Sequence, residues 1–185
     1  MSAASTREEL HLRRIDLRGF RRSDGLFEVE ARLVDTKPDD YRPIRGRAFI
    51  AQGEPVHDLG VRLVFDEDMV VREAITFTNA APYPACPGGG HAFGALVGLR
   101  MDRGWNAAVK ERLGGERSCT HLRELLGPVA TVAFQSLSVM RGHLPERVDA
   151  NGRPLKIDSC HAYAAGGELV REYWPAFHEP DPMAG

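Results

Sequence analysis

The feature that most constrains this chain is a change of apolar spacing near residue 80. Before it, apolar residues recur at every second position; after residue 90 they recur at every third and fourth. Phe27, Val29, Ala31 and Leu33 alternate with polar neighbours, and Val61, Leu63 and Phe65 alternate with Arg62 and Val64. Asp24-Gly25 marks a turn ahead of the first run, so residues 11–34 read as a β-hairpin about Ser23-Asp24-Gly25. A second hairpin joins strands 61–65 and 70–77 across Asp66-Glu67-Asp68. Residues 35–43, with two prolines, read as a loop, and 47–51 as a weak strand.

Residues 79–90 hold three prolines and three glycines and break any regular element. Beyond them the spacing predicts helices near 91–101, 105–113 and 120–140, with Pro128 kinking or restarting the last. Cys160–Ala164 and Glu168–Trp174, either side of Ala165-Gly166-Gly167, read as a terminal hairpin. Strands followed by helices make an α+β fold, an antiparallel sheet with three helices packed on one face. No long linker divides the chain, so 1–185 reads as one domain with flexible ends at 1–9 and 178–185.

Composition excludes several classes. Twenty-four basic against 26 acidic side chains give a formal charge of −2, unsuited to an electrostatic grip on nucleic acid. No apolar stretch approaches the roughly 20 residues that span a bilayer, and the polar N-terminus has no signal-peptide core. Three cysteines cannot all pair within one chain. A cytoplasmic, reducing location is the expectation, with the thiols as core residues, metal ligands or nucleophiles.

Four segments place His, Cys or Asp where a loop meets an element: His57-Asp58, Cys86, Cys119-Thr120-His121 and Cys160-His161. Cys119 stands at a predicted helix N-terminus with Thr120 as N-cap, where free N–H groups favour thiolate. The outer ends of the second hairpin bring His57 and Cys86 together, and the helices can return Cys119 and His121 to the same end. Two histidines and two cysteines form a set that suits zinc, with Asp58 as an oxygen alternative. Cys160 reads as a core thiol in a strand. Asp35-Thr36-Lys37 reads as a solvated polar turn with a possible Asp–Lys pair. His11 and Arg13 share a strand face that could hold an anion. Gly88-Gly89-Gly90 lacks the ending of a phosphate-binding loop and reads as a hinge.

His11 with Arg13, Asp24-Gly25, Asp35-Thr36-Lys37, His57-Asp58, Pro82-Tyr83-Pro84 followed by Cys86, and Cys119-Thr120-His121-Leu122 together resemble a bacterial family of unknown function. The resemblance runs from about residue 10 to 175 and implies no activity. Residues 55–140 are more remotely similar to iron–sulfur scaffold proteins of the NifU/IscU type. That likeness implies a NifU/IscU-like core with extra N-terminal strands. In it Asp58 matches the Asp of the scaffolds' Cys-Gly-Asp, Cys86 their loop cysteine, and Cys119-Thr120-His121 their His-Cys pair, reversed and with one residue inserted. The first scaffold cysteine is absent, which favours metal binding over cluster assembly.

The expectation is thus a small soluble protein holding zinc or iron through His57, Cys86, Cys119 and His121, with Asp58 alternate or supporting. An open coordination position would make it a metal-dependent enzyme. Three alternatives stand beside it. One is a metal-free enzyme with Cys119 as nucleophile and His121 or His57 as base. The others are an iron–sulfur cluster scaffold and an accessory subunit whose groove at 82–87 binds a protein partner.

Overall fold

A computed structural model describes residues 5–44, 49–142 and 145–179. It has two compact units, residues 1–140 and 141–185. The first carries a four-stranded antiparallel sheet in simple order: β1 (Leu12–Arg21), β2 (Phe27–Thr36), β3 (Pro55–Phe65) and β4 (Val71–Ala80). Both expected hairpins are present. Gly25 adopts φ 86°, which the first turn requires, and Arg22 N–H closes it on Leu26 O at 2.9 Å. In the second turn Asp66 Oδ1 accepts the N–H groups of Asp68 and Val70 at 2.9 and 3.0 Å.

The strands are longer than the alternation alone marks out. β3 begins at Pro55 rather than 61, so His57 and Asp58 lie within it, and β2 continues through Asp35 and Thr36. Strand 47–51 lies partly outside the described residues; at its end Ile50 bridges to Tyr41. The termini expected to be flexible are likewise described only from residue 5 and up to 179.

Phe27, Val29, Ala31 and Leu33 of β2 and Leu59, Val61, Leu63 and Phe65 of β3 form one buried face. It packs with the apolar stripes of α1 (Trp105–Leu113), α2 (Thr120–Glu124) and α3 (Leu126–Arg141). Trp105 is buried in this core and donates its indole N–H to Leu126 O at 2.8 Å.

Two helices differ from expectation. In place of an α-helix over 91–101, residues Cys86–Leu96 form a 3₁₀ run. The helix expected over 120–140 is broken at Leu125. Pro128 explains the break: its ring would strike the carbonyl of Glu124 in a continuous helix, whereas three residues into α3 its missing N–H costs nothing. The glycine run is not a hinge. A Cβ on Gly90 would lie 2.1 Å from Thr76 Oγ1, and one on Gly89 2.6 Å from Cys119 Cβ, so these glycines allow close packing against β4 and the start of α2.

The second unit corrects the terminal hairpin. His161–Tyr163 is a short 3₁₀ turn and Glu168–Tyr173 is helix α4. Leu169, Val170, Tyr173 and Trp174 also carry helical spacing. The helix buries Val170 against Ile157 and Ala165, with Trp174 and Phe177 packed on that small core. Trp174 donates its indole N–H to Glu146 at 2.7 Å. Cys160 is exposed outside any strand, not a core thiol.

Asp66 supplies a stability test. Burial alone would push its carboxyl up, but the N–H of Val70, the Arg72 guanidinium and the N–H of Asp68 outweigh that and hold it below the usual carboxylate range. Its folded pKa is therefore depressed, so its stabilisation is full above the unfolded carboxylate value near pH 4 and is lost as pH falls through the folded pKa. Asp66→Ala should lower stability in urea melts at neutral pH by about 1–2 kcal/mol. The gap from wild type should narrow progressively on acidification.

Candidate functional site

The hairpin turns lie at one end of the sheet and the candidate site at the other. Side chains alternate along a strand, so Asp35 continues the buried parity of Phe27 to Leu33, and His57 that of Leu59 to Phe65. Arg13 pairs with Asp35 across β1 and β2, and Asp35 with His57 across β2 and β3. Arg13, Asp35 and His57 therefore share the helix-facing side. The start of α2 brings His121 onto His57, with ring centroids 4.0 Å apart.

Asp35 is the centre of this arrangement. Its side chain is 1% exposed. Oδ1 accepts Arg13 Nε at 2.8 Å and lies 3.2 Å from His11 Nε2. Oδ2 accepts Arg13 Nη2 at 2.8 Å and lies 2.9 Å from His57 Nδ1. Burial would raise this carboxyl, but the Arg13 fork, then His57 and His11, hold it below its ordinary range. It is thus ionised at neutral pH and can only accept, which fixes His57 Nδ1 as a donor and leaves Nε2 with a free lone pair. Burial first, and then the field of His121, lower the His57 pKa against the opposing pull of Asp35. Neutral imidazole held from behind by a carboxylate is the form that binds a metal or accepts a proton.

Among the described residues, Asp35, His57 and His121 form the group of His, Cys, Asp or Glu side chains whose ligand atoms all lie within 4.8 Å of one another. Cys119 extends it: Sγ is 3.8 Å from His121 Nδ1. Cys119 itself is the N-cap of α2, with Thr120 the first helical residue, and its N–H is held by Gly89 O at 3.0 Å. Because α2 is only five residues long, the argument from a long helix dipole behind Cys119 loses its basis.

The structure thus brings together three of the expected residues, His57, Cys119 and His121. Asp58 is elsewhere. One residue along the strand from His57, it pairs through both oxygens with Arg32 at 2.7 Å and accepts Asn79 Nδ2 at 3.1 Å. The expectation that it ligates beside His57 overlooked strand alternation, which sends neighbours to opposite faces. Cys86 is half-buried at the start of the 3₁₀ run and belongs to no such close group of three among the described residues. Asp35 was expected in a solvated turn paired with Lys37. Lys37 instead donates to Leu10 O at 3.2 Å. The signal that could have revealed Asp35 is the unbroken odd-numbered parity from Phe27, together with Arg13 on the pairing strand and His11 just before it at the same parity. The anion those two could hold is the chain's own carboxylate.

This is a mixed α+β protein with a histidine–carboxylate cluster at one end of its sheet. Residues 11–135 match the family described as "Protein of unknown function (DUF2889)", and the chain belongs to that family. No curated protein and no solved structure matches it, so neither comparison connects it to the NifU/IscU scaffolds. No helix among the described residues is long and apolar enough to cross a membrane.

Asp35→Asn keeps the shape of this carboxylate and removes its charge, leaving Arg13 without its buried partner. The expected loss is about 2–4 kcal/mol in chemical denaturation, less than for a wholly buried pair because Arg13 reaches solvent. The imidazole of His57 should titrate at still lower pH in this variant, because the main influence raising its pKa is gone. A His57 shift upward in an NMR titration would contradict the assigned electrostatics.

Proposed function

We propose that the protein binds one divalent transition-metal ion, of the zinc or iron class, between His57 and His121, with Cys119 as a third ligand. The observation that carries this is His57 held through Nδ1 by Asp35 at 2.9 Å, with its ring centroid 4.0 Å from that of His121. Both Asp35 oxygens are engaged by Arg13 and the histidines, so Asp35 acts as the support that orients His57 rather than as a direct ligand. The Cys119–His121 spacing supports the third ligand. Zn–S near 2.3 Å and Zn–N near 2.0–2.1 Å at a tetrahedral angle put S and N about 3.5 Å apart, against 3.8 Å here. Cys86 is the candidate for a fourth position. It precedes Gly89 by three residues of a 3₁₀ run, where side chains eclipse, and Gly89 packs against Cys119.

With Cys86 bound, the site is structural or a carrier. With that position open, a bound ion would supply Lewis-acid chemistry, and the chain's own part would be to hold His57 neutral and oriented. A second reading rests on the Cys119–His121 contact: a metal-free thiol enzyme in which His121 takes the Cys119 proton.

Elemental analysis of protein purified without added metal, followed by Co²⁺ titration of the chelated protein, tests the proposal. One ion per chain is expected, with a sulfur-to-cobalt absorption band that disappears in Cys119→Ser. His57→Ala and His121→Ala should each abolish binding. Retention of wild-type affinity by both histidine variants would rule the site out. Cys86→Ser should alter the cobalt spectrum only if Cys86 is the fourth ligand.

A further inference from the structure

We infer that Arg13 is the positioning residue that couples the two histidines of this site; the inference rests on the metal-binding reading. One guanidinium reaches both halves. Nε and Nη2 grip Asp35, each at 2.8 Å, and Asp35 in turn holds His57 Nδ1 at 2.9 Å. The remaining nitrogen, Nη1, reaches Glu124 Oε2 at 2.7 Å. Glu124 is the last residue of α2 and stands three positions after His121, close to one helical turn and so on the same side of that helix. The sheet-borne histidine and the helix-borne histidine are therefore tied to a single rigid fork.

Three observations make this more than a surface ion pair. First, α2 has five residues and is separated from α3 at Leu125, so little within the helix itself fixes where His121 lies. Second, Arg13 and Glu124 are 111 residues apart in sequence, so their contact joins the first strand to the late helix. Third, the bidentate grip on Asp35 aims the guanidinium plane, and with it the direction of Nη1. A lysine at this position offers a point charge and cannot hold both arms. Arg13 reaches one histidine through Asp35 and the other through Glu124.

The test uses the full chain, metal-free and with Co²⁺, as wild type, Arg13→Lys, Glu124→Gln and the double variant. In metal-free protein, ¹⁵N imidazole spectra should show His57 as the Nδ1–H tautomer, with a nuclear Overhauser contact to the His121 ring. Arg13→Lys should lose both signatures. Glu124→Gln, at an exposed residue, should keep the tautomer and weaken the ring contact, and it carries the test if Arg13→Lys fails to fold. With Co²⁺, Arg13→Lys should weaken binding about 10–100-fold. The double variant should lie within about twofold of Arg13→Lys, because the Glu124 contact is already lost. Unchanged tautomer and ring contact in Arg13→Lys would overturn the inference. So would a Glu124→Gln variant identical to wild type in both readouts, which would confine Arg13 to Asp35. If wild type binds no Co²⁺, the metal reading falls, and the metal-free spectra alone decide the role of Arg13.

Discussion

A carboxylate with 1% of its side chain exposed is the constraint around which the sheet end is arranged. Burying an ionised group costs several kcal/mol unless its lone pairs are met. Asp35 meets that cost with a bidentate arginine and two imidazoles drawn from β3 and from the residues leading into β1. Each partner is committed in turn. Arg13 must turn its Nε–Nη2 edge to Asp35, His57 must present Nδ1, and the third guanidinium nitrogen is left for α2. An apolar residue at position 35 would suit the core parity equally well. The carboxylate there sets the orientation of groups whose chemistry depends on orientation.

The parts of the fold that were legible are those where one physical signal acts alone. Alternation from Phe27 to Leu33 and from Val61 to Phe65, each beside an acidic turn, leaves little freedom, and α1 has Trp105, Val109 and Leu113 on one face. Legibility failed where two signals competed. Glu168–Trp174 has apolar residues at both strand and helix spacing, and only tertiary burial of Val170 decides for helix. Residues 86–96 are rich in small residues that pack by close approach, a signal that apolar periodicity does not register.

For the site, residue types proved more legible than directions. His57, Cys119 and His121 could be selected because each carries chemistry and sits near an element boundary. Asp58 stands out with them because residue type does not show that adjacent strand residues face opposite ways. Asp35 escapes notice for a different reason: Asp35-Thr36-Lys37 has turn-like composition, although β2 runs through Thr36. The match to a family without assigned function adds no chemistry, so the reading of the site rests on parity, burial and hydrogen bonds.

The separation of the sheet's two ends has an engineering consequence. The tight turns at Asp24-Gly25 and Asp66–Asp68 stand about eight residues along the strands from Asp35 and His57, or roughly 27 Å at 3.3–3.4 Å per residue. The first turn is exposed and closes on its own local hydrogen bonds, whereas the second buries Met69 and is tied to Arg100 and Met101. The first turn is therefore the natural port for an inserted fluorophore-binding tag or an affinity handle, since an insertion there leaves the core parity and the Arg13–Asp35 register intact. A chain labelled there could be immobilised through the turn end of the sheet, with the histidine cluster at the opposite end left clear of the support.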